Sequence, residues 1–210
     1  MGLALVLAGT VTLAPEVLAF PHRQRIGDTI LYSELPLPAT MPRVLARADG
    51  LLRRSALYGP GYGRRIFLTD GGWRWRILAF QTPGAFALTR PVSEAIVINR
   101  SRPADDRVYN GAAIGGTRTL SSVIAHERTH GLIRARYGVA SDPWYPVWLR
   151  EGYCDVVAGD GSLTDQAAAA LETRHVKHPA LVYYHGRKRV AERLAATGGD
   201  VDSLFSPRDR

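Results

Sequence analysis

Cysteine and lysine are almost missing from this chain. Cys154 is the single cysteine in 210 residues, which excludes an intrachain disulfide and leaves stability to the core and to any bound ion. Lysine occurs only as Lys177 and Lys188, against 25 arginines, so the net charge of +8 is almost wholly guanidinium. The bias is that of a GC-rich coding sequence. The arginines are scattered, as in Arg53-Arg54, Arg64-Arg65 and Arg187-Lys188-Arg189, and no nucleic-acid-binding motif accompanies them. Nucleic acid is therefore not an expected partner. Internal repeats and long low-complexity tracts are absent too. A hydrophobic content of 46% with 22% charged residues is that of a globular domain, and the length suits one such domain.

A second hydrophobic run of membrane-spanning length is also missing; the first is at the N-terminus. Leu3 to Ala14 is apolar and of signal-peptide length, and Val17-Leu18-Ala19 resembles a small-residue cleavage site before Phe20. The basic residues that usually precede such a block are lacking, and Pro15 and Glu16 interrupt its extension. Residues 1–20 read as a signal peptide or an N-terminal membrane anchor, and residues 21–210 as the working domain. That domain is expected to be exported or anchored outside the cytoplasm, with a cytoplasmic placement as the alternative.

What is present is His126-Glu127-Arg128-Thr129-His130, an H-E-x-x-H string. By composition, roughly one sequence of this kind in two hundred carries the string by accident, so its surroundings decide its meaning. Val123, Ile124, Leu132 and Ile133 fall near helical spacing over Ser121–Tyr137. Ser121 or Thr119 suits the N-cap, Gly138 the C-terminal stop, and Arg134 and Arg136 the negative end of the dipole. On a helix the two imidazoles lie four residues apart on one face, where both can reach one Zn²⁺ while Glu127 reaches a water beside it. A catalytic zinc site needs a third protein ligand and an open position. Glu151 follows 21 positions after His130, past a loop marked by Pro143 and Pro146. Asp155 follows one helical turn later, placed to accept the spare N–H of a ligand histidine.

H-E-x-x-H followed by E-x-x-x-D at this separation resembles the gluzincin zinc metallopeptidases, the group containing thermolysin and the zinc aminopeptidases. The resemblance covers about 35 residues, Thr119 to Asp155. It implies one Zn²⁺ per chain held by His126, His130 and Glu151, with Glu127 as general base and Asp155 supporting a histidine. It implies hydrolysis of peptide bonds, with a peptide or protein as substrate. The same resemblance, through Tyr183-x-x-Gly186, makes Tyr183 the first choice for oxyanion donor, with His185 and Tyr184 behind it. It also makes the β-branched run Glu94–Asn99 an edge strand that pairs with extended substrate, with Ile98 and Asn99 in contact with it. The loop Asp105–Gly116 is placed to border a cleft. Cys154, between the two acids, reads as a small buried residue rather than a ligand, and His175 and His178 as isolated surface histidines.

Strands are expected at Asp28–Ser33, Arg65–Leu68, Trp73–Phe80 and Ala95–Ile98, with an early helix over Pro42–Ser55. After Thr119 the expected elements are helical: the metal helix, the Glu151 helix, Thr164–Thr173 and Pro179–Ala196. This order predicts an α+β, zincin-like fold: a mixed sheet packed on the active-site helix, then a small helical lobe. Two other functions share these residues: a zinc hydrolase of a non-peptide amide, and a non-catalytic zinc-containing binding module.

Overall fold

The computed structural model describes residues 13–59, 64–90 and 92–206. The apolar segment ahead of Leu13 lies outside them, and no helix among the described residues is long and apolar enough to cross a membrane.

The chain is α+β. Its main sheet is mixed and five-stranded, in the order β1 (His22–Ile26), β2 (Thr29–Ser33), β3 (Arg65–Leu68), β5 (Ile96–Ile98), β4 (Ala87–Thr89). β2, β3 and β5 are mutually parallel, and β1 and β4 are antiparallel to their neighbours. The central strands Ile66-Phe67-Leu68 and Ile96-Val97-Ile98 are buried on both faces, which accounts for their continuous apolar runs. A smaller antiparallel meander follows: β6 (Arg100–Arg102), β7 (Arg107–Tyr109) and β8 (Thr117–Thr119).

The helices are α1 (Met41–Leu52), α2 (Trp73–Leu78), α3 (Leu120–Tyr137), α4 (Ser141–Trp144), α5 (Val147–Ala158), α6 (Asp165–Thr173), α7 (Ala180–Ala196) and α8 (Val201–Leu204). α3 is the metal helix of the sequence reading. Its N-cap is Thr119, whose hydroxyl accepts from the Ser122 N–H. Asp106 accepts from the Ser121 amide at 2.7 Å and its hydroxyl at 2.8 Å, placing an anion at the positive end of the helix. The helix stops at Gly138, whose φ of 90° suits a residue without Cβ. Buried residues occupy nearly every face of α3, since α1, α5 and β4 all pack on it.

Three expectations needed correction. Trp73–Phe80 is not a strand: α2 runs over Trp73–Leu78. The Trp-Arg-Trp-Arg alternation has period two for only four residues. Over the longer stretch Trp75, Leu78 and Ala79 are buried while Trp73, Ile77 and Phe80 face out, which is helical spacing. Asp70 prepares the start by accepting from the Gly72 amide at 2.7 Å. Second, β5 is not an edge strand, because β3 and β4 flank it. Third, β1, β4 and the meander had not been expected. Most of these strands are three residues long, and β1 and β6 are rich in arginine, so no alternation could reveal them.

The helical lobe is set by two glycines. A Cβ on Gly152 would stand 2.5 Å from the Gly186 carbonyl, and one on Gly186 would stand 2.5 Å from the Trp148 carbonyl oxygen. α5 and α7 therefore cross almost backbone to backbone, which brings the start of α7 to the cleft. Gly186→Ala is expected to destabilise the protein by about 1–3 kcal/mol through overpacking. A urea midpoint unchanged from the parent protein would contradict this close crossing.

Candidate metal centre and cleft

α3 and α5 pack side by side and present their polar residues to each other at one point. The ring centroids of His126 and His130 are 5.1 Å apart, the spacing one helical turn gives. Both Nε2 atoms face a single oxygen of Glu151, Oε2, at 3.2 Å from His126 and 3.7 Å from His130. Two donors bound tetrahedrally to zinc at about 2.0–2.1 Å stand about 3.3 Å apart. The two distances to Glu151 lie near that value, and the three side chains have the chemistry of a His-His-Glu zinc ligand set.

Asp155 lies behind His126. The His126 Nδ1–H donates to Asp155 Oδ1 at 2.8 Å, which turns Nε2 toward Glu151. The same Asp155 oxygen forms an ion pair with Arg118 Nη2 at 2.9 Å, and both side chains are buried. Burial alone would raise the Asp155 pKa, but Arg118 and His126 outweigh it and hold the carboxyl below its usual range. Burial likewise would lower the His126 pKa, yet Asp155 and Glu151 push it up to about 10. Glu151, despite its own burial, is held well below the carboxylate range by His130 and His126. A buried and a half-buried carboxylate around two imidazoles suit positive charge at their centre, which a divalent cation could supply.

Asp155→Asn is expected to weaken zinc binding about 10–100-fold, because the neutral amide no longer orients His126 as an anion does. Competition against a fluorescent zinc chelator reads this directly. Affinity equal to that of the parent would remove Asp155 from its supporting role.

Cys154 Sγ also lies within 4.8 Å of the His126 and His130 nitrogens. It is fully buried in the core cluster with Tyr153 and Val157. Burial, reinforced by the charges of Glu151, Asp155 and Glu127, pushes its thiol well above the usual range. Glu151, by contrast, lines the open cleft. Of the two, Glu151 is the donor beside the open cleft.

The cleft has a volume of about 490 Å³. Its floor is His126, Glu127 and Val123 of α3. One wall is Phe86 and Ala87, and Asn110–Gly115 forms another; of the loop expected over Asp105–Gly116, Arg107–Tyr109 is a strand. The start of α7, with His178 and Tyr183, closes the third. Glu127 projects into this space, and its Oε2 accepts a 2.7 Å hydrogen bond from the Thr89 hydroxyl on β4.

Of the three oxyanion-donor candidates, only Tyr183 lines the cleft. Burial, with Glu151 and Asp155, raises its pKa and keeps the hydroxyl a donor. Tyr184 turns away, donating to Asp165 at 2.7 Å, and exposed His185 pairs with Glu172 at 2.8 Å. The edge position expected of Ile98 and Asn99 belongs instead to β4. Ile98 is fully buried, and the Asn99 amide donates to the Ala85 carbonyl at 2.8 Å, pinning the segment that leads into β4. The Asn99 N–H bonds the Phe86 carbonyl and the Arg90 N–H bonds the Ala95 carbonyl, so alternate residues of β4 face β5. Ala87 and Thr89 therefore direct their backbone groups to the open side. Among the described residues no strand pairs there.

Thr89, Arg118 and His178 had not been singled out for the site from sequence. Thr89 and Arg118 sit in three-residue strands without a recognisable pattern, and Arg118 is one arginine among 25. His178 had been read as a surface histidine. It is half-buried, and its Nδ1 accepts from the Ala180 amide at 3.2 Å, which leaves the Nε2–H as a donor. His175 is exposed, as read. No protein-family model, curated protein or solved structure matches this chain.

Proposed function

We propose that this chain is a zinc-dependent metallopeptidase of gluzincin type, on a zincin-like fold. The observation that carries the reading is the convergence of His126 Nε2, His130 Nε2 and Glu151 Oε2 on one point, beside a cleft into which Glu127 projects. A zinc ion held by these three residues would act as a Lewis acid and lower the pKa of a bound water toward neutrality. Glu127 takes a proton from the attacking water and passes it to the leaving amine. The Thr89 hydroxyl holds that carboxylate in place. Tyr183 donates to the oxygen that gains charge as the carbonyl is attacked, and the His178 Nε2–H stands on the same wall. The open side of β4, with the backbone groups of Ala87 and Thr89, suits an extended peptide lying along the cleft as an added strand. A purely structural zinc site is normally closed by four protein ligands and has no use for Glu127, which weighs against a non-catalytic binding module.

The test is metal analysis of the purified protein together with cleavage of a peptide library. One zinc per chain, with cleavage that stops on chelation and returns with zinc, is expected. A zinc-loaded protein that cleaves a non-peptide amide but no peptide would move the substrate class. A protein that hydrolyses neither would leave only the binding module.

Tyr183→Phe is expected to lower kcat about 10²-fold with little change in KM, since its hydrogen bond strengthens only as charge develops. Tyr184→Phe and His185→Ala should leave kcat unchanged. Equal effects at Tyr183 and Tyr184 would remove Tyr183 from the role.

A further inference from the structure

Large exposed apolar side chains gather on α2 and the turn that follows it. Trp73 and Ile77 stand one turn apart and Phe80 follows within the next, at 53%, 46% and 69% exposure, while Trp75 and Leu78 between them are buried. A surface helix ordinarily turns polar residues outward. Single exposed apolar residues are unremarkable, but three within two turns make a patch that calls for a partner.

The chain's own N-terminal segment enters the fold at this patch. Arg74 donates from Nε to the Leu18 carbonyl at 2.8 Å and from Nη2 to the Ala19 carbonyl at 2.9 Å. Its guanidinium lies 4.5 Å from the Trp73 ring and 5.4 Å from the Phe20 ring. Leu13 and Val17, just upstream, are half exposed, and the sequence from Gly2 through Pro15 carries no charged residue. Residues 18–20, which follow this uncharged apolar stretch in sequence, are thus held against α2. Cations surround them: Arg76 is exposed on α2, and exposed Arg23 lies over Tyr32, whose ring stacks on Phe67 in the layer beneath α2. Of the nearby acids, Glu34 is paired with Arg74 at 2.8 Å, and exposed Asp70 accepts from the Gly72 amide at the start of α2.

We propose that Trp73, Ile77 and Phe80, with Arg23 and Arg76 beside them, form a docking surface for an anionic lipid bilayer. Tryptophan and arginine are suited to the boundary between headgroups and acyl chains, and an anionic leaflet attracts guanidinium groups. Stable attachment to a bilayer generally takes two weak signals together. Here the two are the apolar N-terminal stretch and this patch. Docking also sets the cleft beside the membrane, because the chain runs from Phe80 directly into the cleft residues Thr82–Ala87. The surface acts this way whatever reaction the cleft performs.

Co-sedimentation of the full chain with vesicles tests this. Phosphatidylcholine–phosphatidylglycerol vesicles are expected to bind the parent protein more tightly than phosphatidylcholine alone. The triple variant Trp73→Ser, Ile77→Ser, Phe80→Ser is expected to bind at least about tenfold more weakly, with an unchanged circular-dichroism spectrum. Brominated lipid should quench the parent's tryptophan fluorescence more than that of a Trp73→Phe protein. Equal vesicle binding by the triple variant would assign attachment to the N-terminal stretch alone and overturn the proposal. So would indifference to anionic lipid, or a lipid-free dimer that the triple variant abolishes.

Discussion

A Glu127→Gln protein is expected to keep its zinc and its fold while losing about 10²–10⁴-fold in kcat, the span that a positioned general base contributes. Glutamine has nearly the same shape, and its amide oxygen can still accept the Thr89 hydroxyl that holds Glu127 at 2.7 Å. What it cannot do is take a proton. Glu127 is not one of the three side chains that converge, so zinc content should stay near one per chain. Parallel measurement of zinc and turnover separates the proton-transfer role from the metal-binding one. Full activity in the zinc-loaded variant would remove Glu127 as base and with it the mechanism proposed.

Glu151→Gln is expected to weaken zinc binding by more than the about 10–100-fold that loss of a ligand's supporting partner costs. It removes both a ligand atom and the negative charge that His126 and His130 share. Cys154→Ser is the matched control. If the thiol is a core residue, the serine protein binds zinc as the parent does, with some loss of stability from a hydroxyl in a fully buried site. The opposite pattern, with zinc kept by Glu151→Gln and lost by Cys154→Ser, would replace a His-His-Glu site by a His-His-Cys site. Cobalt substitution distinguishes the two independently, because only a thiolate ligand adds a sulfur-to-metal absorption band.

These expectations and the membrane test rest on different parts of the molecule. α3 and α5 carry the candidate metal set, while α2 and the turn after it carry the proposed lipid patch. Loss of vesicle binding in the triple variant should therefore leave zinc affinity untouched, and Glu151→Gln should leave vesicle binding untouched.

The metal set was legible in the sequence because its geometry is local. Four residues on a helix bring His126 over His130, and the same spacing brings Asp155 into line with Glu151, whatever the rest of the chain does. Caps and stops were legible for the same reason: Thr119, Gly138 and the turn prolines act within a few residues of themselves. Trp73–Phe80 was misread where a two-residue period in four residues competed with a helical period in eight; burial on the sheet decided for the helix.

What only the tertiary structure decided involves partners distant in sequence. Ile98 and Asn99 have the composition of any strand. Position at an edge is a property of the whole sheet, and pairing on both sides of β5 gave the open edge to β4. Arg118 reaches Asp155 across 37 positions and Thr89 reaches Glu127 across 38, and no periodicity encodes either contact. Tyr183 rather than Tyr184 faces the cleft because Gly152 and Gly186 let α5 and α7 cross at backbone contact, which sets the rotation of α7. The sequence alone determined which side chains can share a metal, since the helix repeat places them. The packing of strands and helices determined what surrounds that point: the arginine behind it, the edge strand beside it and the tyrosine across from it.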